Sequence, residues 1–350
     1  MKGVSPAAAG LLLLAGAVAM LGLSGVSGPE DAAERVLGWS AGQIGLVTVR
    51  EQSPEPSQSQ KESPAPELSP DPSPEPIPVP VTTVEEAWDE EARLTETPPE
   101  PVELPIDATL SLELENDTDF EISLPELPGL PAGLDVQAEA PVVLIVHTHT
   151  TECYADSDES GVYRSTAEDS GVMAVGDRMV ETLEERGYRV RHDKTFCDYP
   201  EYDGAYDRSR AVIWAVLEEE PSVCLVLDVH RDAVENPDGT QMRMAAEADG
   251  EETARMMLVV GTDGGGLEHP DWRQNLSLAA VIQARMNMDY PGLMRPVNLR
   301  NQRFNQDLGP MALLVEVGAS GNSQAEAERA AVIFARELAD TLDLYSSNNS

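Results

Sequence analysis

Proline is the residue that most limits where this chain can fold. Fourteen of its 27 prolines fall between Pro54 and Pro105. Each fixes φ and removes a backbone donor, which excludes regular helix and interior strand from that stretch. The residues between them are mainly Ser, Glu and Gln, with no hydrophobic period. Such a segment cannot bury enough apolar surface to offset its ordering entropy. From Glu51 to about Pro105 the sequence therefore predicts an extended spacer, rising up to ~3.1 Å per residue and spanning on the order of 100 Å. A core is left to the roughly 200 residues after Pro141, enough for one ordinary domain. The formal net charge of −40 argues against a nucleic-acid partner and against docking on anionic lipid heads. Three cysteines exclude a disulfide-stapled scaffold.

Before the spacer, Ala7 to Val26 form an uncharged apolar run preceded by Lys2 and followed by Glu30 and Asp31. About 20 such residues cross a ~30 Å hydrocarbon core. The small-residue triplet Ala17-Val18-Ala19 lies inside the run, whereas a signal-peptide cleavage site follows the run. The segment reads as an uncleaved anchor in the cytoplasmic membrane, with the chain beyond it outside. The expected organisation is an anchor over 1–28, a juxtamembrane segment and spacer over 29–106, a transitional stretch over 107–138 offering one edge strand, and a folded domain over 139–346.

Within that domain apolar runs alternate with helical spacing. Val142 to Val146, Tyr188 to Val190, Val223 to Val229, Met256 to Val260 and Ala312 to Val317 predict strands. Val172 to Arg186, Ala205 to Glu219 and Asp271 to Met288 predict helices, the first closed by Gly187. Ser323 opens a last helix with the capping box Ser323-x-x-Glu326. This alternation means an α/β domain with a mostly parallel, helix-flanked sheet.

Strand ends carry the chemistry. His147 and His149 follow the first strand in HTHTTE, with Glu152 just beyond. On an extended chain residues two apart point to the same side. His230 ends LDVHRD, and Glu316 ends LLVEVG. In open α/β sheets the carboxyl ends of the strands border the ligand crevice. Such a set meets the needs of a catalytic zinc: three N or O ligands, an open position and a carboxylate to take a proton. An H-x-H pair alone is a weak signal, since a strand-end histidine is more often only hydrogen-bonded. Asp228 and Asp232 are candidates to orient His230; His269 either reaches the pocket or caps a helix; His192 reads as structural. Gly264-Gly265-Gly266 lacks the lysine of a phosphate loop and reads as a turn.

The blocks VLIVHTHTTECY, VGDRMVETLEERGY, YDGAYDRSR, LDVHRD, VGTDGGGLEHPDWRQNLSLA, YPGLMRPVNLR and RFNQDLGPMALLVEVGASGN, in this order, resemble the stage II sporulation protein P family of membrane-anchored peptidoglycan hydrolases. Cys153 stands where that family has Ser, and Met311 where it has Gly. The resemblance implies a fold like the zinc-dependent N-acetylmuramoyl-L-alanine amidases, which cut the bond between the glycan's lactyl group and the stem peptide. It also implies endopeptidase activity on peptide cross-links, a role in endospore formation, and work beside sporulation proteins D and M. The amidase ligands are His, Glu and His, with a late-strand Glu as base. Carried onto this chain, the base falls on Glu316 and the second His on His230. The first His falls on His149, with His147 open, and the acidic ligand on Glu152, with Glu168 open. Arg208, Arg210 and Arg303 are expected to bind stem-peptide carboxylates. A vegetative cell-wall amidase and a non-catalytic peptidoglycan-binding regulator are the alternatives.

Overall fold

The computed structural model describes residues 48–49, 112–124, 127–130, 140–158, 161–309 and 311–344. The expected anchor and the spacer over 51–105 lie outside the described residues. Among the described residues no helix is long and apolar enough to cross a membrane.

The elements in order are β1 (Thr48–Val49), β2 (Glu113–Asn116), β3 (Val143–Val146), α1 (Gly171–Glu185), β4 (Val190–His192), α2 (Ala205–Glu219), β5 (Leu225–Asp232), β6 (Ala245–Ala248), β7 (Glu251–Ala254), β8 (Met256–Gly261), α3 (Trp272–Asp289), β9 (Val297–Arg300), β10 (Ala312–Ala319) and α4 (Gln324–Leu344). Eight strands form one sheet in the order β1-β2-β9-β8-β10-β5-β3-β4. Every pairing is parallel except β10 with β8. The sheet is thus two parallel blocks meeting back to back, and strands of the two blocks end at opposite edges. β2 is not the edge strand expected of the transitional stretch, because it pairs with β1 on one side and β9 on the other.

Side chains of the central strands alternate between two cores. Val143, Ile145, Leu225, Leu227, Leu313 and Val315 pack toward α1, α3 and α4. Leu144, Val146, Val226 and Ala312 pack against Ile213, Val216 and Leu217 of α2. Burying each such aliphatic side chain contributes about 1.5–3 kcal/mol, and this explains why β3 reads as an unbroken apolar run rather than an alternating one.

Helix ends follow the sequence. Gly187, at φ +92°, closes α1 while Tyr188 N–H reaches back to the Leu183 carbonyl. At the start of α4 the capping box is reciprocal: Glu326 N–H donates to Ser323 Oγ and Ser323 N–H to Glu326 Oε2. Two elements depart from the expectation. β9 lies between β2 and β8, and a separate hairpin joins β6 to β7 through Asp249-Gly250, both at positive φ.

Candidate active site

The parallel block β10-β5-β3 delivers its carboxyl ends to one edge, and the register sets who meets there. Glu316 of β10 pairs directly with His230 of β5, and Asp228, two residues earlier, pairs with Val146 at the end of β3. Alternation from Val226 and Ala312 turns Asp228, His230 and Glu316 toward the α2 side of the sheet. There Tyr206 of α2 lies edge-on to His149, ring centroids 5.6 Å apart, and His149 lies edge-on to His230 at 5.3 Å.

His147 goes elsewhere. The chain turns over Thr148 to Thr151 as soon as β3 ends, so the period of two does not extend from His147 to His149. His147 keeps the orientation of Val143 and Ile145 and lies on the α1 side. Its Nδ1 contacts the Val229 carbonyl at 2.8 Å and its Nε2 contacts His192 Nε2 at 2.8 Å. Gly176 of α1 makes room for this pair, since a Cβ there would come within 2.7 Å of His192 Nε2 and 2.9 Å of His147 Nε2. Burial, with His192 beside it, pushes His147 down to about 3. His192 is structural, as expected, with Asp177 on its Nδ1 at 3.1 Å.

Glu152 comes to the site through a turn and a helix start. Its carbonyl accepts the Val172 N–H at 2.9 Å. Gly171, at φ +62°, passes so close that a Cβ would meet the Glu152 oxygen at 2.1 Å; only glycine fits here. The Glu152 carboxylate is buried, with Oε2 3.3 Å from His230 Nδ1 and 3.2 Å from the Arg231 backbone N–H. Arg231 is buried as well, its Nη1 3.5 Å from Glu152 Oε1 while Nε and Nη2 donate to the carbonyls of Cys153 and Tyr163. Glu168 is exposed.

The charges set one another. Burial opposes ionisation of Glu152, but the hydrogen bond and charge of His230, then Arg231, hold its carboxyl down at about 2. Burial likewise opposes charge on His230, yet Asp228 and then Glu152 lift it well above the ordinary imidazole range. Asp228 Oδ1 stands 2.8 Å from His230 Nε2, although no partner meets that nitrogen at a hydrogen-bonding angle. Asp228 also accepts Thr148 N–H and Oγ–H, so it is the aspartate that faces His230, whereas Asp232 pairs with Arg295. Glu316 is pushed up to about 8, first by burial and then by Glu152 and Asp232, against His230 and Arg231. Its Oε2 is buried without a partner, as are His149 Nδ1 and His230 Nε2.

Two flanking groups carried no sequence motif. Asp198 is buried, accepts Thr151 N–H and Oγ–H, pairs with Arg164 and lies 3.9 Å from His149 Nδ1. Tyr202 stacks on His149 at 4.6 Å and its hydroxyl is 3.1 Å from His149 Nε2.

The remaining expected residues have other partners. Arg208 donates to the carbonyls of Cys197, Glu201 and Asp203 and so ties its own loop. Arg210 makes a two-pronged pair with Asp307, and Arg303 meets Asp307 and the Glu268 carbonyl. Each of these three guanidinium groups thus has a partner within the protein. His269 does not reach the site because β8 runs opposite to β10, which takes the loop after Gly261 to the far edge of the sheet.

Among the described residues no three His, Cys, Asp or Glu side chains are arranged as they stand to hold a metal ion. In kind the donors nevertheless fit zinc: His149 with a buried, unpartnered Nδ1, His230 between Glu152 on its Nδ1 side and Asp228 on its Nε2 side, an ionised buried carboxylate, and a second carboxyl with an unpartnered oxygen.

Fold and site together define an α/β domain that gathers two histidines and two glutamates at the carboxyl ends of adjacent parallel strands. A family model described as stage II sporulation protein P (SpoIIP) matches residues 48–339; the chain belongs to that family. It is similar to stage II sporulation protein P of Bacillus subtilis (strain 168), with 32% identity over 206 residues, which cover 54% of this chain and 48% of that one. The chain thus spans about half the length of that curated relative. Among solved structures it is similar to the N-acetylmuramoyl-L-alanine amidase AmiC2 of Nostoc punctiforme, at 15% identity and TM-score 0.35 over 58% of this chain and 97% of that one. It is also similar to the CwlD amidase from Clostridioides difficile in complex with the GerS lipoprotein, at 11% identity and TM-score 0.37 over 59% of this chain and 98% of that one.

Proposed function

We propose that the protein is a zinc-dependent N-acetylmuramoyl-L-alanine amidase that remodels peptidoglycan during endospore formation. The observation that carries this reading is the pairing of Glu316 with His230 across β10 and β5, with Glu152 3.3 Å from the same histidine. His149, Glu152 and His230 would hold the metal. When bound, zinc supplies Lewis acidity toward the amide carbonyl and an acidified water.

Glu316 handles the proton. Burial raises the proton affinity of Glu316, which suits its carboxylate to take a proton from water and pass it on within one turnover. Water adds its oxygen to the lactyl carbonyl carbon, the C–N bond to the stem peptide breaks, and the proton collected by Glu316 goes to the departing amine. Asp228 orients His230, and Arg231 holds the Glu152 carboxylate in place. The apolar run over 7–26 would anchor the chain in the cytoplasmic membrane with the domain outside it. Cross-link endopeptidase activity and partnership with sporulation proteins D and M belong to the same reading.

A second reading is a peptidoglycan-binding regulator without catalysis. It is favoured by the side-chain arrangement, in which no three ligands are set for a metal among the described residues. Incubating the full chain and zinc with purified peptidoglycan decides between them. The amidase releases new alanine amino termini and peptide-free glycan; binding without new amino termini identifies the regulator.

A further inference from the structure

Only two aromatic side chains are exposed among the described residues, Tyr199 at 56% and Tyr202 at 53%. Both line one cavity of about 340 Å³, together with Arg164, Ser165, Thr166 and Asp198. A soluble surface normally leaves such rings covered, and exposed ones beside a cleft point to a ligand. The cavity adjoins the site directly, since Tyr202 is the ring stacked on His149 at an interplanar angle of 10°.

The lining decides what chemistry fits. Aromatic faces carry negative charge density and attract the polarised C–H groups on one face of a saturated sugar-like ring. Hydroxyls and a carboxylate at the rim, from Ser165, Thr166 and Asp198, suit a ligand with several hydroxyl and amide groups around its edge. Charge argues against an acidic ligand. Arg164, the cation lining the cavity, is paired with the buried Asp198 and lies 4.7 Å over the Tyr202 ring, so it is already balanced. In a chain of net charge −40 a carboxylate-bearing peptide gains nothing here.

We infer that this cavity is a glycan subsite, taking an N-acetylated hexosamine whose apolar face lies on Tyr199 and Tyr202. The inference rests on the amidase reading for its biological context: the bond to be cut joins a sugar's lactyl arm to peptide, so the glycan must lie on one side of His149. Tyr202 belongs to the wall of the reacting centre, and Tyr199 lines the same cavity.

The test uses tri-N-acetylchitotriose, which has neither peptide nor scissile amide, titrated into the full chain by calorimetry. Binding is expected in the native chain. Tyr199→Ala should weaken it roughly 2- to 12-fold, the scale of one aromatic contact. Tyr199→Phe, which keeps the ring, should retain it. Because Tyr199 is exposed, both variants are expected to fold as the native chain does, and matched circular dichroism checks this. No binding by the native chain, or equal binding by native and Tyr199→Ala, overturns the inference. So does binding of sugar-free stem peptide that Tyr199→Ala weakens while chitotriose stays unbound. Chitotriose binding with no amidase activity on peptidoglycan keeps the glycan subsite and removes the amidase reading instead.

Discussion

Replacing Glu316 with Gln should sharply lower turnover and at the same time stabilise the protein toward higher pH, a pH dependence that follows from burial. The ordinary value for this carboxyl is 4.5, and the fold holds it at about 8. The folded chain therefore keeps a proton that the unfolded chain has lost. The stability this gives is fully present below pH 4.5, falls away as pH rises, and is gone above about 8. At about 1.4 kcal/mol per pH unit that span is worth on the order of 4–5 kcal/mol. Gln has the same shape and cannot ionise, so the variant escapes this loss; Glu152 and His230 remain in both proteins and largely cancel in the comparison. For a domain of roughly 200 residues each kcal/mol moves Tm by about 2–4 °C. Thermal unfolding of the full chain in chelator, followed by near-ultraviolet circular dichroism from pH 5 to 9, should show the native Tm falling relative to Glu316→Gln by on the order of 10 °C. Activity at pH 7 should drop about 100- to 10,000-fold, the scale of general acid–base catalysis. Parallel Tm curves for the two proteins would refute the reasoning, because Glu316 would then not be held protonated by its surroundings.

Three further outcomes follow from the same geometry. His147→Ala should cost roughly 2–4 kcal/mol in denaturant unfolding, by leaving the Val229 carbonyl and His192 Nε2 without partners, while zinc content stays near native. Glu152→Gln should lower zinc affinity in equilibrium dialysis, whereas Glu168→Gln, at an exposed position, should leave it unchanged. Gly171→Ala should destabilise by more than about 2 kcal/mol, since it combines positive φ with a Cβ driven into the Glu152 carbonyl, and should lower zinc affinity too.

Much of this molecule can be read from its residues. The buried run in β3, the capping box at Ser323 and the stop at Gly187 are local signals, and the structure follows them. His230 and Glu316 were legible because a polar residue breaking an apolar strand run is conspicuous. What escaped was set by pairing between distant segments. β9 is four residues long and takes its place only through β2 and β8. The β6–β7 hairpin is built of Ala, Glu and Thr, poor strand composition, although Asp249-Gly250 is a hairpin turn signal. The antiparallel entry of β8 removes His269 from the site and has no local signature. His147 and His149 part company because the chain turns after Val146, and spacing alone cannot show where a strand stops. Asp198 and Tyr202 arrive from a loop without periodicity, and Arg210 and Arg303 meet Asp307, a partner that only the fold brings near to Arg210.

Metal content of single-histidine variants tests the proposed centre most directly. The native full chain, His147→Ala, His149→Ala and His230→Ala should be dialysed against the same zinc buffer and assayed by atomic absorption. The expected result is bound zinc in the native chain and in His147→Ala, and loss of it in both His149→Ala and His230→Ala. Full zinc occupancy in both His149→Ala and His230→Ala would contradict the metal site at the ends of β3 and β5.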